Sequence, residues 1–162
     1  MRLYTLHTKQ KLPITVDEAW DFFSDPGNLN VITPDNMKFR TLSGDKQKMF
    51  AGQIIHYRIS PFPLITMQWV TEITHVQEKS FFVDKQRFGP YKFWHHKHFF
   101  KAIEGGVEME DVVHYQVPFG VLGESFHPLI VKPRLKAIFD YRKAALIKRF
   151  GEYDPNIKTS RL

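Results

Sequence analysis

The chain contains no cysteine in its 162 residues. That excludes disulfides, thiol nucleophiles and cysteine-ligated zinc or iron–sulfur centres. Long apolar runs are missing too: none approaches the roughly 18 residues that a transmembrane helix needs. The opening MRLYTLHTKQ has no apolar core followed by a small-residue cleavage site, so no secretory leader and a cytoplasmic location are expected. Common nucleophile, phosphate and metalloprotease signatures are also lacking, with no G-x-S-x-G, G-x-G-x-x-G, P-loop or H-E-x-x-H. Acidic residues are the scarcer charge, 17 against 23 Lys and Arg, for a net +6.

Much of that excess lies in residues 132–149, where Lys132, Arg134, Lys136, Arg142, Lys143, Lys148 and Arg149 are opposed only by Asp140. A basic helix can bind a polyanion or acidic lipid head groups. The more common use of such a run is the solvated side of an amphipathic helix. Nucleic acid is therefore not the expected partner. Aromatics are abundant, 15% of the chain with 15 Phe. The length suits a single domain with a substantial core, expected over residues 1–150, followed by a polar tail at 151–162.

Tyr4, Leu6, Thr8 and Leu12 alternate with polar residues, the pattern of a half-buried first strand. Thr15 with Glu18 forms a capping box for a short helix whose buried face is Val16, Ala19, Trp20 and Phe23. Asp25-Pro26-Gly27 stops it. A second short helix fits before Pro34 and uses Leu29 and Ile32. Strands are predicted at residues 37–42, 53–60, 64–74 and 81–88, parted by Ser43-Gly44-Asp45-Lys46 and by Ser60-Pro61-Phe62-Pro63. Two more strands flank a tight turn at Glu104-Gly105-Gly106-Val107, where Gly-Gly supplies the positive φ of a two-residue loop. Pro118-Phe119-Gly120 ends the sheet. A long terminal helix follows over residues 126–150, with Leu135, Ile138, Phe139, Ala145 and Leu146 on its apolar stripe. The fold class is thus α+β: a curved, seven-strand antiparallel sheet around one long C-terminal helix, with two short helices after the first strand. One helix about 10 Å across is a poor plug for such a sheet, so an elongated apolar cavity is expected between them.

The last hairpin puts ionisable groups where a strand pair should carry only apolar ones. Alternation assigns Trp94, His96, His98, Phe100 and Ala102, with Met109, Asp111, Val113, Tyr115 and Val117, to an interior face. Lys97, Lys101, Glu108, Glu110 and His114 fall outside. The turn chosen above pairs His96 with Tyr115, Phe100 with Asp111 and Lys101 with Glu110. Asp111 is then the one carboxylate forced inward, and it needs a partner, His98 or His96.

The segment Leu12-Pro13-Ile14-Thr15-Val16-Asp17-Glu18-Ala19-Trp20-Asp21-Phe22-Phe23, continued by Asp25 and Asn28-Leu29, resembles the opening of the START/polyketide-cyclase superfamily (SRPBCC, the helix-grip fold). Asn30-Val31-Ile32-Thr33-Pro34, Phe82-Val83-Asp84, Gly89-Pro90-Tyr91, Trp94-His95-His96-Lys97-His98 and Ile138-Phe139-Asp140-Tyr141-Arg142 resemble an uncharacterised bacterial subgroup of it, sometimes labelled cell-division inhibitor. The likeness covers residues 3 to about 150. It implies the helix-grip fold, shared by lipid carriers, aromatase/cyclases and hydroxylase domains, and it does not settle function. Pro133 departs from the pattern. The terminal helix is expected either to begin near Lys132, with Pro133 in its first turn, or to kink there.

His96 and His98 form an H-x-H pair on one strand face, a spacing that aims both imidazoles at one point and suits zinc or iron. Asp111 is a candidate third ligand or orienting partner. No third histidine shares that face, and an Asp–His hydrogen bond satisfies buried polarity unaided, so no metal and no cofactor is expected. The expected function is binding of a small or medium hydrophobic ligand, lipid, polyketide or isoprenoid-like, in the cavity. Trp69, Trp94, Phe100, Met109, Ile138 and Phe139 would form its wall, and His96, His98, Asp111 and Tyr115 its polar end. An aromatase/cyclase or dehydratase working through His96, His98 and Asp111 is the second reading. A macromolecular partner on the basic helix is the third. His127 reads as a cap or surface residue. Asp84 shares a face with Gln86 on a strand whose register the sequence leaves open.

Overall fold

The computed structural model describes residues 2–44, 47–62 and 64–156. Parts of the two expected breaks near Asp45-Lys46 and Pro63, and the last six residues of the tail, lie outside that set. The strands are β1 (Tyr4–Leu12), β2 (Arg40–Ser43), β3 (Ile54–Phe62), β4 (Ile65–Gln77), β5 (Phe81–Phe88), β6 (Phe93–Ile103) and β7 (Gly106–Gln116). They form one antiparallel sheet in the order β1-β7-β6-β5-β4-β3-β2. Helix α1 (Val16–Phe23) and a 3₁₀ segment (Pro26–Ile32) follow β1. The expected capping box is present: Thr15 Oγ1 accepts from Glu18 N at 3.1 Å, and Thr15 N donates to Glu18 Oε2 at 2.8 Å. The α+β arrangement of sheet and terminal helix is the one the sequence implied.

The β6–β7 register differs from the expectation. His98 faces Asp111, Trp94 faces Tyr115, His96 faces Val113, Phe100 faces Met109 and Lys101 faces Glu108. The loop is Glu104-Gly105, one position earlier than the turn read from the sequence. Gly105 supplies the positive φ, at 72°. Gly106 is needed for another reason, because a Cβ there would meet the Leu12 carbonyl oxygen at 2.1 Å. Moving the loop by one position shifts each partner by two, so both interior faces survive intact. Ala102, assigned to the interior, is exposed beside the loop.

The terminal helix begins earlier than expected. Phe119 takes a left-handed φ of 66° and turns the chain straight into α2 (Gly120–Phe126). A π turn (His127–Val131) joins it to α3 (Lys132–Phe150). In that turn Lys132 N–H donates to His127 O, five residues back. The widened turn carries the chain past Pro133, which has no N–H to offer a normal helical bond. α3 thus begins at Lys132 with Pro133 in its first turn, as one of the two expectations had it, while α2 and the π turn extend the helical run ahead of it. Leu146 packs with Leu12, Trp20, Phe100 and Met109, while Leu135 and Phe139 pack with Trp94, Val113 and Tyr115. These two contacts hold α3 against the inward face of the sheet. Beyond it, Tyr153 Oη donates to Glu104 O at 2.7 Å and ties residues past α3 to the hairpin loop.

Candidate functional site

The pleat fixes which groups meet. Asp84 lies opposite His96 across β5–β6, and His98 lies opposite Asp111 across β6–β7. All four therefore share the inward face. His96 Nε2 lies 2.8 Å from Asp111 Oδ1, and His98 Nε2 lies 2.8 Å from Asp84 Oδ2. His98 Nδ1 is 3.0 Å from Asp111 Oδ1, and His96 Nδ1 is 3.5 Å from Asp84 Oδ2. The two imidazole centroids are 3.7 Å apart with the rings tilted by 38°, and Phe82 stacks on His98 at 4.1 Å. From α3, Arg142 brings Nη1 to 3.9 Å from Asp111 Oδ1.

Burial opposes ionisation of every member, and the charged partners decide which ones stay charged. Burial acts to raise the Asp111 carboxyl, but the hydrogen bond with His96 and the close approach of His98 overcome it and hold it well below the usual 3.8. Asp84 is likewise lowered: burial is outweighed by the His98 bond and by the charges of His96, His98 and Arg142. Burial would depress His98, but the Asp111 and Asp84 carboxylates beside it raise it above 6.5. Burial, reinforced by neighbouring His98, depresses His96. The cluster thus sets two carboxylates and the Arg142 guanidinium around a His98 pushed toward its charged form and a His96 pushed toward its neutral form.

The cluster forms part of the wall of a cavity of about 460 Å³ between the sheet and the α2–α3 run. Trp69, Trp94, Ile138, Phe139, His96 and His98 line it, and so do Asp84 and Arg142. The lining reaches solvent at Phe62, Phe119, Leu122 and Phe126, all exposed, Phe119 to 82%. Four expected site residues do not line it. Phe100 and Met109 are packed into the core, Phe100 with its ring edge-on to Trp20 at 5.8 Å. Asp111 stands behind the two histidines. Tyr115 directs its hydroxyl to His127 Nε2 at 2.8 Å, and burial with Tyr4 nearby pushes it up to about 12.

His127 is therefore not a surface residue: it follows α2 as its C-cap, is 5% exposed and is stacked on Tyr4 at 3.6 Å. Arg134 and Arg142, counted from sequence with the solvated charges of the helix, turn to the cavity instead. Their Nε atoms are buried without hydrogen-bond partners among the described residues. Gln86 serves the backbone, its side chain donating to Tyr91 O at 2.6 Å. Among the described residues, no helix is long and apolar enough to cross a membrane.

No protein-family model and no curated protein sequence matches the chain. Solved structures do match its fold. The Zhui aromatase/cyclase from Streptomyces sp. R1128 superposes with a TM-score of 0.70 at 8% identity, over 91% of this chain and 93% of that one. Major latex-like protein 151 from Panax ginseng gives 0.62 at 16% identity, over 88% and 96%. Ara h 8.0201 gives 0.60 at 14% identity, over 91% and 99%. At such identities the likeness establishes the fold alone, a helix-grip fold.

Proposed function

We propose that this helix-grip protein binds a small or medium hydrophobic ligand, lipid, polyketide or isoprenoid-like, in the cavity between its sheet and terminal helix. The observation that carries the reading is an apolar cavity of about 460 Å³ with one concentrated polar cluster in its wall. That volume falls in the roughly 300–1,000 Å³ range of small-molecule sites, where a few polar groups orient a largely apolar ligand. The indole and phenyl faces of Trp69, Trp94 and Phe139 would cover its apolar body. His96, His98 and Arg142 would meet its polar end, with Asp111 fixing the imidazoles from behind.

The test is native mass spectrometry of protein purified from cells, followed by titration with a solvatochromic dye. A copurifying apolar molecule, or one equivalent of dye displaced by long-chain lipids, is the expected result. No copurifying molecule and no dye uptake would overturn the reading. An aromatase/cyclase or dehydratase activity is the second reading. It is favoured by the His98–Asp84 pair at the cavity wall, 2.8 Å apart, an imidazole–carboxylate pairing of the kind used in general acid–base catalysis. The aromatase/cyclase similar in fold lends it support. Turnover of a bound polyketide that stops in His98→Gln, with binding retained, would separate it from carriage.

A further inference from the structure

We propose that Asp84, His96 and His98 form a mononuclear site for a borderline divalent transition metal, zinc or iron(II), open toward the cavity. Their donor atoms all lie within 4.8 Å of one another. Asp84 Oδ2 is 2.8 Å from His98 Nε2 and 3.5 Å from His96 Nδ1. Neighbouring ligands on one ion, with bonds of about 2.1 Å, stand at comparable separations.

The second nitrogen of each ring gives the stronger argument. His96 Nε2 and His98 Nδ1 both approach the same oxygen, Asp111 Oδ1, at 2.8 and 3.0 Å. Protons on those two nitrogens leave His96 Nδ1 and His98 Nε2 with lone pairs directed at the side where Asp84 stands. A carboxylate that orients ligating histidines from behind is the usual outer partner of such sites. His98 Nδ1 is buried and makes no well-aligned hydrogen bond among the described residues. A metal on Nε2 would stand between His98 and Asp84 in place of their present 2.8 Å contact, with Nδ1–H left to Asp111.

The three donors line the cavity and Asp111 does not, so the open coordination positions face the space a ligand occupies. Two imidazoles and one carboxylate with open positions suit zinc or non-haem iron(II); Mg²⁺ and Ca²⁺ prefer all-oxygen sets. A ligand bearing an enolate or carboxylate oxygen would complete the shell. From the sequence, Asp111 is the candidate third ligand, and no metal is expected because no third histidine shares that face. The register of β5 supplies a different third donor, Asp84, directly opposite His96. The site stands apart from the hydrophobic-ligand reading, since metal uptake needs no apolar ligand and the two can fail separately.

The experiment titrates the metal-free chain with Co²⁺ and Zn²⁺ by calorimetry and visible absorption, with Mg²⁺ for comparison. One equivalent of Co²⁺ with new visible bands, displaced by Zn²⁺ and ignored by Mg²⁺, is expected. Asp111→Asn should weaken binding by about 10–100-fold, and Asp84→Asn and His98→Gln by more than that. The exposed control His75→Gln should change nothing. No Co²⁺ uptake, more than one equivalent, or affinity untouched in Asp84→Asn and His98→Gln overturns the site. Should those variants not fold, histidine-ring ¹⁵N spectra of the unmodified protein decide. Zn²⁺ must shift the His96 and His98 resonances, and shifts confined to other histidines refute the proposal.

Discussion

Asp111 is held by partners strong enough to reverse the effect of its burial. Because its folded pKa lies below the ordinary 3.8, its stabilising contribution is fully present above that pH and is lost as pH falls through the folded value. Asp111→Asn is predicted to lower stability at neutral pH on the order of 3 kcal/mol and to flatten the acid limb below about pH 4. Denaturant unfolding at stepped pH reads both effects, and an unchanged acid limb would sink the assignment. Glu110→Gln should barely move the midpoint, since solvent screens the pairs of Glu110 with His7 and Lys9. His127 gives a second window. Burial first, then the nearby charges of Lys132 and Arg2, depress it below 6.5. The unfolded chain then takes the proton more readily, so stability falls as pH drops from about 6.5. His127→Phe keeps a ring for Tyr4 to stack on and removes that slope. It also leaves the Tyr115 hydroxyl unpaired at a cost of about 1–3 kcal/mol, which the same titration measures at pH 8.

Alternation along a strand identifies faces without naming partners, and at the level of elements this divides what the sequence revealed from what it hid. The interior face of β6–β7 was readable because Lys97, Lys101, Glu108 and Glu110 all fall on the other side. The pairing was not, because two adjacent glycines offered two loops, and only contact with β1 shows why Gly106 must be glycine. Gly105→Ala should cost roughly 1–2 kcal/mol for a left-handed residue. Gly106→Ala should cost more, since its Cβ collides with the fixed Leu12 backbone. Thermal melts of the two variants rank them, and the reverse order would restore the original turn. Asp84 stayed out of reach because register shifts in the β4–β5 ladder, at Val70/Thr71 and Ile73/His75, obscure how β5 sits. Its period-two relation to buried Phe82 was the available signal. On α3, Arg134 and Arg142 flank Ile138 at spacings of four on the cavity side. Their charge, not their spacing, placed them in solvent, although arginine buries its stem readily.

At the scale of the whole molecule, the packed core and the cavity occupy different parts of one interior, and single substitutions can separate them. Leu146 is 1% exposed and sits among Leu12, Trp20 and Phe100. Ile138, on the same helix, faces the cavity instead. Leu146→Ala should therefore cost about 2–5 kcal/mol and leave ligand affinity of the folded protein unchanged. Ile138→Trp should do the opposite. The larger side chain enters open space, so the overpacking penalty of a filled core does not apply and the melting temperature holds or rises. It takes volume from the ligand, and dye affinity should fall by tenfold or more, about 1.4 kcal/mol. Wild-type dye affinity should hold between 50 and 200 mM salt. A polyanion on Lys132, Lys136 and Lys148 would instead weaken steeply over that range. Dye binding that survives Ile138→Trp but collapses with salt would move the binding surface from the cavity to the outer face of α3.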